Sequence, residues 1–504
     1  MTSVRALLVI VVMLSRGMPA VSDTTTDSDS PRADGPYRVA PGQPQLFVDD
    51  ALVARKSGVV RRTHACAKLP EPVLAPEKPW EAHRIYVYGT VMREPESGRF
   101  RMWYISCGIA LKGDVRDPAL KHRPMDLVLY ATSEDGVHWH RPELGLYEFG
   151  GSRANNIVYD YHSPSILYVP DAGAPDQRFR MLGVGEVNGT RGYCVAHSAD
   201  GLHWIDYPRN PALSGGDTCT LTRDPGSGEY LAFHKRYLMH RGQRRRLVYL
   251  ATSPDMQTWS KPVLALAPDE TDDAQTEREG GLFSQFYNLS AFPYGGQFLG
   301  MVTHFRYTGP PPEKGPQQSG HDGPIDVQLV HSRDGRAWRR AEDRSPVIPN
   351  GPHAYDAGCI LGVANAPVVV GNELWLYYTA ITTTHGGYLP KKKITIARAS
   401  WRLDGFVSLD AGEDGGVVDS VPLATTGRRL FVNVDASQGE LSVEVLDAKG
   451  TPLDGYDVAH GVPVRTDGVR CPIRWQARQD LPAGGGLRLR FRLQNARLFS
   501  YTIE

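Results

Sequence analysis

Three observations predict an all-β chain, a five-bladed β-propeller followed by a small C-terminal β-sandwich. A Ser-x-Asp-x-x-x-Trp phrase recurs after short apolar runs at intervals of about 55 to 80 residues, the length of one four-stranded blade with its loops. Between about residues 80 and 410 almost nothing has helical periodicity. Beyond residue 420 the phrase stops, and apolar–polar alternation broken by Gly- and Asp-rich turns takes over, the pattern of a half-buried antiparallel sheet.

Taken in chain order, Arg5, the apolar run 6–14 and Met18-Pro19-Ala20 predict a signal peptide over 1–20. The mature protein is then expected to be secreted or periplasmic, with no membrane segment after cleavage, since no later stretch reaches spanning length. Residues 21–40 are polar and predict a disordered leader. The propeller is placed at 41–415. Its repeat reads at 127–139, 193–204, 248–259 and 327–338, with a degenerate fifth copy at 394–406. In each copy the apolar run is a strand, Ser and Asp bond the amides of a tight turn, Gly takes positive φ, and Trp packs between blades. The phrase is therefore read as structural. Second strands precede each copy at 98–104, 177–184, 228–235, 296–305 and 372–380. The segment 46–54 is expected to pair with the last blade and close the ring, and 420–504 to form the sandwich.

Composition narrows the function. Lys plus Arg and Asp plus Glu both number 56, so the net charge is zero and the basic excess of a nucleic-acid binder is missing. The basic cluster 241–246 reads as a solvated hairpin tip. Six cysteines are widely spaced without a CxxC pair, which argues against zinc and for small buried hydrophobes, while disulfide pairing stays open. No metal or other cofactor is called for, and the sequence leaves the oligomeric state undetermined.

The repeated turn, five blades and terminal sandwich resemble the glycoside hydrolase superfamily of families 32, 43 and 68, with 253–259 (SPDMQTW) nearest in wording. The phrase QLFVDDALV followed by PW…YVYGTVMREPESGRFRMWY is similar to exported bacterial propellers described only as family 32-like. The family 32 nucleophile and Glu-Cys acid motifs are absent. Arg223-Asp224-Pro225 spells that family's Arg-Asp-Pro but falls in a turn after a first strand. The resemblance implies carbohydrate chemistry; the residues that would perform it must come from this chain.

First strands line a propeller axis, and polar residues where they begin converge there. Aligning them brings together His162, Asp217, Asn288 and Asp356, with Tyr86 and Tyr88 from blade one. Adjoining loops add Glu81, His83, Arg84, Asp160, Glu277 and Glu279. Glycoside cleavage uses two carboxyl groups, one to protonate the leaving oxygen and one to attack or activate water. Asp217, Glu279, Asp356 and Glu81 are the catalytic candidates, each with a turn or salt-bridge carboxylate as the plain alternative. Substrate contacts are expected from His162, Asn288, Tyr86, Tyr88, His234, Arg236, His304 and Arg306, with Trp80 and Tyr287 as further stacking surfaces. Arg236 or Arg306 would suit a carboxylate or sulfate on a sugar, with a structural ion pair as the equal alternative. Three functions compete: a glycosidase, a carbohydrate-binding propeller without catalysis, and a sialidase-like enzyme, the last disfavoured by the five-blade count.

Overall fold

The computed structural model describes residues 35–107, 117–120, 126–316, 318–483 and 485–504. The expected signal peptide, and the leader up to residue 34, lie outside these residues.

The architecture is all-β, a five-bladed propeller carrying a β-sandwich. The inner strands are Ile85–Arg93, His162–Tyr168, Cys219–Arg223, Phe283–Tyr294 and Cys359–Val363. Neighbours in this series pack together, and the first meets the last, so the ring is closed. Each inner strand leads antiparallel into a second and a third strand, and shorter strands complete each blade's outer edge. Blade faces meet other blades, so apolar side chains line both sides of most strands: Ile325–Ser332 is buried throughout.

The repeated turn works as its chemistry predicts. In the first copy Ser133 Oγ accepts from Gly136 N (2.8 Å), and Asp135 Oδ1 accepts from Val137 N and His138 N (both 2.8 Å). Gly136, Gly201 and Gly335 have positive φ, and Met256 adopts the same conformation in the third copy. The tryptophans pack between blades: Trp139 meets Tyr377 of blade five edge-on at 5.6 Å, and Trp338 meets Phe233 of blade three at 5.5 Å.

Ring closure differs from the sequence expectation. The last blade's outer strand is Ala67–Lys68, paired with Ile394–Arg402. The segment 46–54 serves the sandwich instead: Gln45–Leu46 pairs with Ala496–Ile503, and Val53–Ser57 with Gly416–Ser420. Phe47 settles its place, since its ring sits 6.2 Å from Phe491 and 6.0 Å from Tyr501 in the sandwich core. Val59–Thr63 and Val407–Ala411 also pair within the sandwich. The 41–415 boundary is corrected accordingly, because the chain enters the propeller after Thr63 and leaves it before Val407. Tyr37–Arg38, placed by sequence in the leader, pairs in parallel with Leu423–Ala424. Cys66, Cys194, Cys219, Cys359 and Cys471 are free.

Four inner strands carry a register irregularity near their beginnings: between Tyr86 and Thr90, His162 and Ser165, Phe286 and Leu289, and Ile360 and Val363. Bulges re-aim side chains. Here they turn Tyr88 and Tyr287 across the ladder, and Gly362 (φ 97°) leaves the space occupied by the Tyr88 ring, which a Cβ would approach at 2.6 Å.

Candidate functional site at one mouth of the propeller

Inner-strand beginnings pair with second-strand ends, as in Cys219 with His234 and Cys359 with Ile381, so these ends and the loops joining second to third strands share one mouth. The Ser-Asp-Trp turns lie at the other.

Asp217, just before the third inner strand, is a sequence-predicted carboxylate that the structure leaves open to solvent at this mouth. Its Oδ2 pairs with Lys235 Nζ at 2.7 Å, and 46 % of its side chain is exposed against 7 % for Lys235. Surrounding protein atoms disfavour charge on Asp217, but Lys235 and then His162 outweigh that effect and hold the carboxyl well below the usual range. Burial, with help from Arg246, pulls the Lys235 ammonium down to about 8 against the attraction of Asp217. The ammonium lies 3.7 Å from the Tyr287 ring centroid. Tyr86 and Tyr88 stack nearly parallel, centroids 5.4 Å apart, and Tyr88 meets His162 at 5.8 Å. His162 Nδ1 is 3.3 Å from Asp126 Oδ2. The structure therefore brings together Asp217, His162, Tyr86, Tyr88 and Tyr287. Asn288 belongs to the same bulge as Tyr287, and its buried Oδ1 makes no hydrogen bond.

Of the other three catalytic candidates, Glu81 and Asp356 are fully buried in ion pairs, while 44 % of the Glu279 side chain is exposed. Glu81 is fully buried in the short turn Pro79–Glu81; it accepts from Arg141 Nε (2.7 Å), Tyr104 OH (2.6 Å) and the amides of Glu77 and Lys78. Asp356 is fully buried against Lys68 Nζ (2.6 Å) and Tyr378 OH (2.9 Å). Glu279 ends the helix Glu270–Arg278 and pairs with Arg306 Nε at 2.9 Å. Arg306 also pairs with buried Asp326, so the proposed sugar clamp is an ion-pair network within blade four. His304 is buried, bonded to Ser284 Oγ and Gln328 Nε2, and kept neutral by burial.

His234 and Arg236 share a face, as alternation requires, and it is the face opposite that of Lys235. His234 packs 5.1 Å from Tyr193 and is pushed down to about 4 by burial, and Arg236 lies over Tyr249. Lys235, between them, points into the site. Sequence reasoning also missed Arg246: residues 241–244 form the exposed hairpin tip expected of the cluster, but Arg245 and Arg246 are buried, and Arg245 pairs with Asp273. Arg246 lies 5.1 Å from the Tyr287 ring and 5.3 Å from Phe305, and donates to Gln285 Oε1 at 2.8 Å.

Two loops complete the rim. His385 packs against Tyr287 (5.4 Å) and Phe305 (5.0 Å), and Lys392 donates to its carbonyl at 2.7 Å. Next to His385, Gly386 N donates to Asp322 Oδ1 at 2.8 Å. A chain of contacts thus joins Asp217 through Lys235, Tyr287 and His385 to a second carboxylate, Asp322, which the alignment of first strands could not find because it comes from a loop between second and third strands. A broad hollow of about 540 Å³ at the opposite mouth, lined by Thr90, Glu94, Ile166, Tyr168 and Asn365, presents no comparable cluster. Its carboxylate, Glu94, is engaged by Arg101 at 3.3 Å.

No family model matches this chain, and a search of curated proteins finds no relative. Solved structures similar to it include a glycoside hydrolase (15 % identity, TM-score 0.43, 66 % of this chain and 92 % of that one). Another comes from work on the GH130 family of mannoside phosphorylases, which contains glycoside hydrolases that target β-1,2 mannosidic linkages in Candida mannan (12 %, 0.41, 68 % and 97 %). A third is an N-acetylgalactosamine deacetylase from F. plautii in complex with blood group B trisaccharide (16 %, 0.42, 69 % and 96 %). At these scores none of them bears on the chemistry of this chain.

Proposed function

We propose that this mouth binds a carbohydrate and hydrolyses a glycosidic bond, with Asp217 as the ionised carboxylate that attacks the anomeric carbon or activates water. The observation that carries the reading is a solvent-open carboxylate kept charged by Lys235 and His162 at the propeller axis. Asp322 is the second carboxylate on the rim and the candidate proton donor. This sets aside Glu81 and Asp356, whose carboxylates are fully buried in ion pairs, and leaves Glu279, paired with Arg306 but open to solvent, as an alternative partner for Asp217.

The test is release of reducing sugar from a panel of polysaccharides and aryl glycosides by wild type, Asp217→Asn and Asp322→Asn. Turnover lost in both variants with folding intact supports the assignment. Binding without turnover in the wild type rejects hydrolysis and leaves a carbohydrate-binding propeller, a reading favoured by the commitment of Glu81 and Asp356 to buried ion pairs.

A further inference from the structure

Buried cations are normally matched by a carboxylate, because an uncompensated charge away from water is costly. Two cations at this mouth depart from that rule. Arg246 and Lys392 are each only 8 % exposed, and neither makes a direct ion pair among the described residues, although Asp322 attracts Lys392 from a distance. The polar contacts of Arg246 are to the side-chain oxygen of Gln285, and its guanidinium lies over the rings of Tyr237, Tyr287 and Phe305. That of Lys392 is the carbonyl of His385. The two meet around one imidazole: Tyr287 and Phe305 touch both Arg246 and His385, while Lys392 holds the His385 backbone. Lys235 adds a third cation on the other side of Tyr287, already matched by Asp217. Every charge near His385 pushes the same way, and burial, Lys392, Arg246 and Lys235 bring its pKa down to about 3, so it adds no positive charge near neutrality. His321, bonded to Tyr237 OH at 3.2 Å, is likewise lowered by burial and by Arg246 and Lys235.

We infer that Arg246 and Lys392 form an anion subsite, and that the glycan bound at this mouth is acidic, presenting a carboxylate or sulfate of a sugar residue beside His385. The inference rests on the reading of the mouth as a carbohydrate site but not on cleavage. A guanidinium supplies paired donors to a planar or tetrahedral oxyanion, and the ammonium supplies a point charge. Arg246 and Lys392 attract the anion, Asp217 lies on the far side of Tyr287, and the nearer carboxylate, Asp322, has its Oδ1 held by the amides of Gly323 and Gly386.

Titration calorimetry on the whole chain tests this with four probes: trigalacturonate, its carboxyl-reduced neutral counterpart, a sulfated disaccharide, and inorganic phosphate. Trigalacturonate or the sulfated sugar should bind at least tenfold more tightly than the neutral sugar, and which of the two prevails identifies the oxyanion. Arg246→Met and, as a second variant made independently of the first, Lys392→Met should each erase most of that preference while leaving the weaker affinity for the neutral sugar in place; Arg246→Lys should restore part of it. Equal affinity for acidic and neutral sugars, or a preference unchanged in both Met variants, overturns the inference, as does phosphate binding as tightly as either acidic sugar. Acidic sugar bound but not cut would instead reject the hydrolase reading and leave the subsite standing. A neutral glycan cut without any acidic preference would do the reverse.

Discussion

Two lysine–aspartate pairs, formed in different blades, show how the same two residue types come to do different work. Lys235–Asp217 and Lys68–Asp356 have nearly the same separation, 2.7 and 2.6 Å. In the first, 46 % of the aspartate side chain meets solvent; in the second, none does. Lys68 is further fixed by the carbonyls of Pro349 and Gly351, and Asp356 by Tyr378 OH, so that pair fastens the closing strand Ala67–Lys68 to blade five. Asp217 has only its lysine and a backbone amide, and its remaining surface is available to a ligand. Distance does not distinguish a site from a brace; the number of partners and the access of water do.

The sharpest way to break that contrast is Asp217→Asn. Turnover should fall by about a thousandfold or more, since an amide can neither attack nor activate water. Stability should also fall, because Lys235, only 7 % exposed, loses its counter-charge, but by less than when a pair buried on both sides is broken. A melting curve and a turnover assay on the same preparation decide it, and turnover retained in the variant would place Asp217 with Asp356 as a brace.

Next in size is Lys68→Met. Removing one partner of a buried pair leaves the other charge uncompensated and costs about 3–5 kcal/mol. Urea unfolding should show that loss, whereas Lys235→Met should cost markedly less because water can reach Asp217. Equal losses would erase the distinction. Tyr378→Phe sharpens the same point on a smaller scale. It removes a hydrogen bond to a buried carboxylate, worth about 1.5–3 kcal/mol, with no effect on sugar binding at the mouth.

The smallest effects are in pH. Asp217 has its carboxyl held below the unfolded value, so its contribution to stability is present above about pH 4 and is lost as pH falls through the lower folded value. Asp217→Asn should therefore flatten the acid limb of a stability–pH curve, and an unchanged limb would show that the carboxylate is not selectively stabilised. At the alkaline end Lys235 gives up its proton near pH 8. Affinity for an acidic sugar should weaken as pH rises through that value, while affinity for its neutral counterpart should hold.

The repeat made the blades legible because its physics is local. Ser133, Asp135 and Gly136 bond one another within a few residues, and the phrase looks the same in every copy that keeps it. Asp217 was legible for a related reason: it stands where an inner strand begins, and propeller geometry sends such positions to the axis. The failures are non-local. Lys68 reaches Asp356 across 288 positions, and Arg141 reaches Glu81 across 60, so nothing near either carboxylate announced its partner. The 46–54 strand met a similar fate, as both a propeller edge and a sandwich edge accept an apolar strand and only Phe491 and Tyr501 decided between them. At 234–236 the alternation was read correctly and still misled. In a blade both faces are buried against neighbours, so hydrophobicity does not tell which one turns toward the mouth.

By itself, then, the sequence determined what depends on short-range bonding: strand after strand, the turn that repeats between them, the change of texture past residue 420 and the position of one solvent-open carboxylate at the axis. Tertiary structure alone decided which charges were neutralised, because an ion pair depends on two side chains arriving at one place from distant parts of the chain. It sorted Asp217 from Asp356, drew Arg246 out of a basic run into the mouth, and set it beside Lys392 around His385 with no carboxylate in direct contact with either among the described residues.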